Sequence, residues 1–446
     1  MNFIKLKLRL SLLLKIGQCI ILIAFVEIPV HSQILSKEMW REDILQLKDI
    51  LQKNHVNLYH HTNKVNFDNA FKSLVNQIVH LNEKQILIEI AKIVALAGDG
   101  HTSFDPATSQ EKISFNSYPV CLYPFEEGLY CISAPNTIPD ISGLRLLSID
   151  DTPIQNVRTK LIPYIQRDNE EEINYTYPYL IENASLLFYA GITKKENEAK
   201  FSFDDHGQNV EKWITALPDS SYRKLKWIAA RKSIRDIAAI RNLSFLFSNS
   251  VSILHLKDEY NYWTQIFDSS KTVFLQYNTC WDQKNRLPFK DFVNKEVFSF
   301  LDKNHEYKLV IDLRYNPGGE PATLAPLIEG IRLRSEHFKI YRPIVLVGTR
   351  TYSAAATNVL QLKDSCNAIL MGQTSRARPN SPSEGRDFVL KHSGCIISIS
   401  TQMVSRSPRL GSIMKIPLDK KIPLSIYDYL FDVDKTFLIS TSINSK

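Results

Sequence analysis

Leu309-Val310-Ile311-Asp312-Leu313-Arg314-Tyr315-Asn316-Pro317-Gly318-Gly319-Glu320 reads as a buried strand that runs into a polar turn and leaves it through two glycines. The apolar run up to Leu313 suits a strand covered on both faces. Paired glycines let the backbone present its N–H groups at the start of a helix, and Pro321–Leu333 suits that helix. Donors arranged in this way can face developing negative charge, as in an oxyanion hole. The same residues also suit a plain glycine-rich turn between strand and helix.

Outward from this stretch the pattern is α/β. Thr272–Tyr277 reads as a strand, Phe289–Lys303 as a helix, and Pro343–Gly348 as another buried strand. Ala368–Met371 and Cys395–Ser400 are further strands, so from about residue 258 a mostly parallel, helix-covered sheet is expected. In Val347-Gly348-Thr349-Arg350-Thr351-Tyr352-Ser353-Ala354-Ala355-Ala356 a strand ends and small residues open a helix. A serine at such an elbow is exposed, with the helix dipole favouring negative charge nearby. Serine is also a common helix cap, and both readings of Ser353 stand on the sequence.

Upstream, residues 36–97 show helical spacing, with Trp40, Ile44, Leu47 and Leu51 on one face and Phe67, Phe71, Leu74 and Ile78 on another. A third helix is expected from Asn82, where Gln85 completes a capping-box pattern. It stops at Ala97-Gly98-Asp99-Gly100-His101-Thr102, a turn in which His101 can act as a general base and Asp99 shapes the loop. Residues 112–205 carry short β-like runs. Among them is a strand, acidic turn and strand at 143–154 that resembles the core hairpin of a PDZ domain. Tyr175, Tyr177 and Tyr179 read as a surface strand, and 206–257 as a connector with a helix near Tyr222–Ala239.

Taken together, the glycine turn, the Thr-x-Ser-Ala-Ala segment and Gly-Asp-Gly-His-Thr resemble the tail-specific (carboxy-terminal processing) serine peptidases, in particular their tricorn-core and chlamydial-protease branch. The resemblance implies a crotonase-like ββα spiral as catalytic core and Ser353 as nucleophile. It implies an oxyanion hole from Gly318, Gly319 and Ala354, and no metal or organic cofactor. Many members pair serine with a lysine, but Gly372-Gln373-Thr374-Ser375-Arg376-Ala377-Arg378 has none. Arginine stays protonated and cannot serve as base, so His101 takes that role. Glu384 and Asp419 are both candidates for the acid that orients it.

The resulting layout is a signal segment (1–32), an N-terminal helical region (33–111), a small β-rich domain (112–205), a connector (206–257) and a peptidase core (258–446). In the signal segment, Lys5, Lys7, Arg9 and Lys15 precede an apolar run, with Val30-His31-Ser32 before the expected cleavage point. That run is too short for a comfortable membrane span, so export to the periplasm or cell surface is expected. The formal charge of +7 is scattered, which speaks against nucleic acid as a partner. His55, His60 and His61 lie close in sequence, but no H-E-x-x-H pattern or C-x-x-C pair marks a metal site. Beyond Cys19 the chain carries five cysteines, so at least one thiol stays unpaired within it, and Cys121 and Cys131 flank a hairpin. The expected function is an exported serine endopeptidase acting on polypeptides. The alternatives are a binding protein on the same scaffold and an enoyl-CoA-type crotonase.

Overall fold

The computed structural model describes residues 35–107, 113–225 and 259–443, which belong to one compact unit, Leu35–Lys446. The expected signal segment, and most of the helix expected near Tyr222–Ala239, lie outside the described residues. Three helices open the unit: α1 (Lys37–Asn54), α2 (Lys64–Gln77) and α3 (Glu83–Val94). The apolar faces read from their spacing are the buried ones. Asn82 and Gln85 form the capping box reciprocally, satisfying two N–H groups that the first turn leaves open. Gly98 ends the segment in the left-handed conformation, φ 73°. No helix among the described residues is long and apolar enough to cross a membrane.

An antiparallel sheet follows. It contains β1 (Cys121–Phe125), β2 (Gly128–Ser133), β3 (Arg145–Ile149), β4 (Thr152–Pro153), β5 (Glu198–Asp205) and β6 (Gln208–Thr215). The order is β1-β2-β3-β5-β6, with β4 folded back on β3. Asp150 and Asp151 make that turn at positive φ, 45° and 68°. Two expectations are corrected here. The β5–β6 hairpin crosses the boundary expected at residue 205. Between β4 and β5 the chain is helical: α4 (Ile154–Leu161), α5 (Glu170–Glu182) and α6 (Ala184–Tyr189). The alternating tyrosines that suggested a strand lie on α5. Asn169 caps it, and Glu170, Glu171 and Glu172 complement the positive end of its dipole.

The second sheet holds β7 (Tyr262–Phe267), β8 (Thr272–Tyr277), β9 (Lys308–Asp312), β10 (Ile344–Val347) and β11 (Ile369–Gly372). A long hairpin, β12 (Asn380–Val389) with β13 (Ile396–Ser405), then leaves the sheet, and β14 (Lys420–Lys421) returns to its edge. The order is β14-β11-β10-β9-β8-β7, parallel except for β7 on β8. β9 and β10 are buried along their whole length, as their apolar runs require.

The apolar cores explain where the long hairpin goes. Leu390, Cys395, Ile397 and Ile399 are buried with α1–α3 and the first sheet, not with the second sheet. At the hairpin tip, Asp43 of α1 accepts the N–H groups of His392 (2.9 Å) and Ser393 (2.7 Å). Farther along, Ser103 and Ser398 exchange backbone hydrogen bonds of 2.9 and 3.0 Å. The turn that carries His101 is thereby fixed to a strand from the C-terminal half of the chain. Cys121, Cys131, Cys280, Cys366 and Cys395 are free thiols.

Candidate active site

Ser353 stands between β10 and the helix Ala354–Cys366, with φ 51° and ψ −124°. A non-glycine residue in this region is strained, and such strain persists only where the surroundings impose it. Here Thr351 Oγ1 donates to the Leu313 carbonyl at 2.7 Å and accepts the Gly348 N–H at 3.0 Å. The Tyr352 N–H donates to the Asn316 carbonyl at 3.0 Å. The serine loop is therefore laced to the glycine turn. The Ser353 hydroxyl makes no capping bond to its own helix. It lies 3.2 Å from Nε2 of His101, across 252 residues of sequence.

His101 is placed from its backbone outward. Buried Asp99 accepts the N–H groups of His101 (3.0 Å) and Thr102 (2.7 Å) and the Ser400 hydroxyl (2.6 Å). Its other oxygen pairs with His55 Nε2 at 2.8 Å. His55 Nδ1 accepts the Asn57 N–H, so Nε2 is the donor toward Asp99. Burial pushes the Asp99 carboxyl up, but the hydrogen bonds from His55 and Ser400 outweigh it and hold it below the usual range. The expectation that Asp99 shapes the turn matches these contacts. For His101, burial outweighs the nearby Asp168 carboxylate and lowers the imidazole below 6.5, which favours the neutral ring.

One side chain not singled out from the sequence, Tyr352, touches this pair, and Asp168 lies behind it. Tyr352 stacks on His101, ring centres 4.9 Å apart and 18° from parallel, with its hydroxyl 3.1 Å from Nδ1. The Tyr352 hydroxyl also donates to Asp168 Oδ2 at 3.4 Å, and the Gly100 N–H donates to Asp168 Oδ1 at 3.0 Å. Arg376 lies 4.3 Å from the ring centres of Tyr352 and Tyr175 and pairs with Glu172 at 2.8 Å. Tyr352 adjoins the serine, so its neighbourhood was legible. Asp168 sits in no motif and enters the site only through folding.

The glycine turn backs onto the serine. A Cβ at Gly318 would lie 2.8 Å from Ser353 Cβ. The Gly318 N–H is already taken by Asn316 Oδ1 at 2.9 Å. Cys280 pairs with the backbone on both sides of Gly319, donating to the Gly318 carbonyl and accepting from Glu320, each at 2.9 Å. No acceptor for the N–H of Gly319 or of Ala354 is found among the described residues. Of the three residues expected to form an oxyanion hole, two keep a donor to offer.

Neither expected acid hydrogen-bonds to His101. Glu384 is exposed, at φ 56°, and contributes its carbonyl to Thr401 Oγ1. Asp419 pairs with Lys363 at 2.7 Å and accepts the Leu370 N–H at 2.7 Å. His60 contacts the carbonyls of Asn57 and Gly98, and no cluster of three metal-ligating side chains occurs among the described residues.

No family model and no curated protein matches the sequence. Among solved structures, the s499a mutant of CPAF aligns at a TM-score of 0.61, 11% identity, 91% of this chain and 97% of that one. Mature CPAF complexed with lactacystin aligns at 0.57, 11% identity, 91% and 98%. The photosystem II D1 C-terminal processing protease aligns at only 0.38, with 11% identity, 86% and 93%. At these identities the likeness speaks to fold. Nearly the whole chain is a mixed α/β structure with the fold of CPAF, a structural neighbour from the tail-specific peptidases that the three motifs resemble.

Proposed function

We propose that the protein is an exported serine peptidase that cleaves polypeptides through an acyl-enzyme on Ser353. The observation that carries this is the Ser353 Oγ to His101 Nε2 contact of 3.2 Å beside two unengaged backbone N–H groups. His101 Nε2 takes the hydroxyl proton as Oγ attacks the scissile carbonyl. The Gly319 and Ala354 N–H groups receive the oxyanion. The imidazolium then protonates the departing amine, and water repeats the cycle on the ester. A general base of this kind contributes roughly 10²–10⁴-fold.

A groove of about 490 Å³ lies beside the serine loop, although Ser353 and His101 are not among the residues that line it. It is lined by Tyr123 and Phe125 of β1, Tyr175 and Tyr179 of α5, and Thr349 and Gln373 near the serine loop. In this reading the core from residue 258 is a crotonase-like spiral. The β3–β4 hairpin belongs to a PDZ-like module that presents substrate. The basic and apolar start directs export to the periplasm or cell surface. A fluorophosphonate probe tests the chemistry. Labelling of the wild type that is lost in Ser353→Ala and greatly slowed in His101→Ala is expected. A folded wild type that takes no label would overturn the peptidase reading and favour a binding protein on this scaffold.

A further inference from the structure

We propose that Tyr352 and Asp168 together replace the orienting acid of a catalytic triad, Tyr352 holding the histidine and Asp168 acting through it as a positioning residue. The inference rests on the assignment of His101 as the base for Ser353. It is carried by a continuous run of contacts: Ser353 Oγ to His101 Nε2 at 3.2 Å, His101 Nδ1 to Tyr352 Oη at 3.1 Å, and Tyr352 Oη to Asp168 Oδ2 at 3.4 Å.

The donors and acceptors along this run fit only one way if the histidine is to act. Nε2 must be bare to take the serine proton, so Nδ1 carries the hydrogen and needs an acceptor. The tyrosine oxygen is that acceptor, because its own hydrogen is directed to Asp168. When His101 becomes charged, the proton on Nδ1 stays where it is. The tyrosine dipole and Asp168 behind it face the new positive charge; burial raises the Asp168 carboxyl, and the His101 charge and the Gly100 N–H act against that rise. No proton needs to pass along the chain, and none is lost or gained beyond the one moved from Ser353 to Nε2.

Each member is held from a separate element. Asp168 is buried, and its Oδ1 accepts the Gly100 N–H beside the histidine. The Tyr352 ring packs against both the His101 imidazole and the Arg376 guanidinium, the latter pinned by Glu172. Arg376 lies in the segment where many tail-specific peptidases carry their lysine. In this chain the cation there braces the tyrosine ring. The charged groups acting on His101 are Asp168, Arg406, Asp99 and Glu384. Of the acidic ones, Asp168 has the largest influence on the ring and is the one connected to it through a hydroxyl.

The test uses the full chain with ¹⁵N-labelled histidine, His101 being assigned by the signal missing in His101→Gln. Tautomer and titration midpoint are read by NMR in wild type, Tyr352→Phe and Asp168→Asn. The fluorophosphonate labelling rate is followed against pH in parallel. The wild type should show the Nδ1–H tautomer. Asp168→Asn keeps an acceptor for Gly100 and should fold. It should lower the His101 midpoint by about one pH unit and slow labelling at every pH. Tyr352→Phe should depopulate the Nδ1–H tautomer and slow labelling by roughly 10²-fold. Unchanged tautomer and midpoint in both variants, with thermal melts like the wild type, would overturn the proposal. Loss of wild-type labelling would instead strike at the peptidase assignment, while the NMR comparison would still decide the relay.

Discussion

At Gly319 the backbone leaves no room for a single methyl group. A Cβ there would come within 2.8 Å of the Cys280 carbonyl and 2.6 Å of Trp281 Nε1, at a φ of 133° that other residues rarely adopt. Gly319→Ala must rotate or shift the peptide whose N–H is proposed to receive the oxyanion. We expect fluorophosphonate labelling to fall roughly 10²–10³-fold, the usual cost of one such donor, with circular dichroism unchanged. A second expectation concerns pH. Because burial lowers His101 below 6.5, its neutral, basic form persists into mildly acid solution. The labelling rate should therefore be flat around neutrality and fall only on the acid side, with a midpoint below 6.5. A midpoint above that value would contradict the burial argument. Ser353, His101 and the glycines can be picked out as candidates because each stands in a turn with a local signature. Asp168 has none, and a carboxylate acquires its role only from what folding sets beside it.

Among the elements, the β12–β13 hairpin is the one whose placement the sequence hid. Its second strand, β13, and the inner strands of the second sheet carry apolar runs that a reader can find, whereas β12 is polar almost throughout. Buried Leu390, Cys395, Ile397 and Ile399 draw the hairpin onto the helices, and the buried carboxylate of Asp43 holds two backbone N–H groups at its tip. Removing that carboxylate strands both donors, at about 1–3 kcal/mol each. Asp43→Ala should thus lower unfolding free energy by roughly 2–5 kcal/mol, measured by urea titration. A change under about 0.5 kcal/mol, typical of a surface site, would show that the hairpin is held elsewhere. The helix α5 was misread for a different reason. Tyr175 and Tyr179 are four residues apart and touch at 5.5 Å on a helix face, yet with Tyr177 between them they also mimic a strand's alternation. Only the cap at Asn169 and the three glutamates after it separate the two periods.

Over the whole molecule, the chain's last described helix is tied to the sheet by ions. Arg314, next to the glycine turn, forms hydrogen bonds to Asp312 (2.7 Å) and Asp434 (2.7 Å), all largely buried. Asp434 in turn caps the helix Lys435–Ser442 through the Phe437 N–H. Breaking a buried pair from one side costs about 3–5 kcal/mol, since the remaining charge is left in the interior. Asp434→Ala should show a loss of that order in urea titration, and a mild loss would mean that water reaches Arg314 readily. The general α/β plan was legible because strand and helix periods are local. The division into modules was less so: α1–α3, the first sheet and the long hairpin share one core, although 350 residues separate Glu42 from His392 across their contact.

That shared core also sets a timetable. During synthesis the histidine leaves the ribosome first, and the strand that fixes its turn, together with Ser400 on Asp99, is made only after the serine. A nascent or truncated chain that stops short of the hairpin therefore holds Ser353 and His101 without the strand that fixes the histidine turn. On the proposed mechanism, a chain cut off before the strand at Ile396–Ser405 should take no fluorophosphonate label.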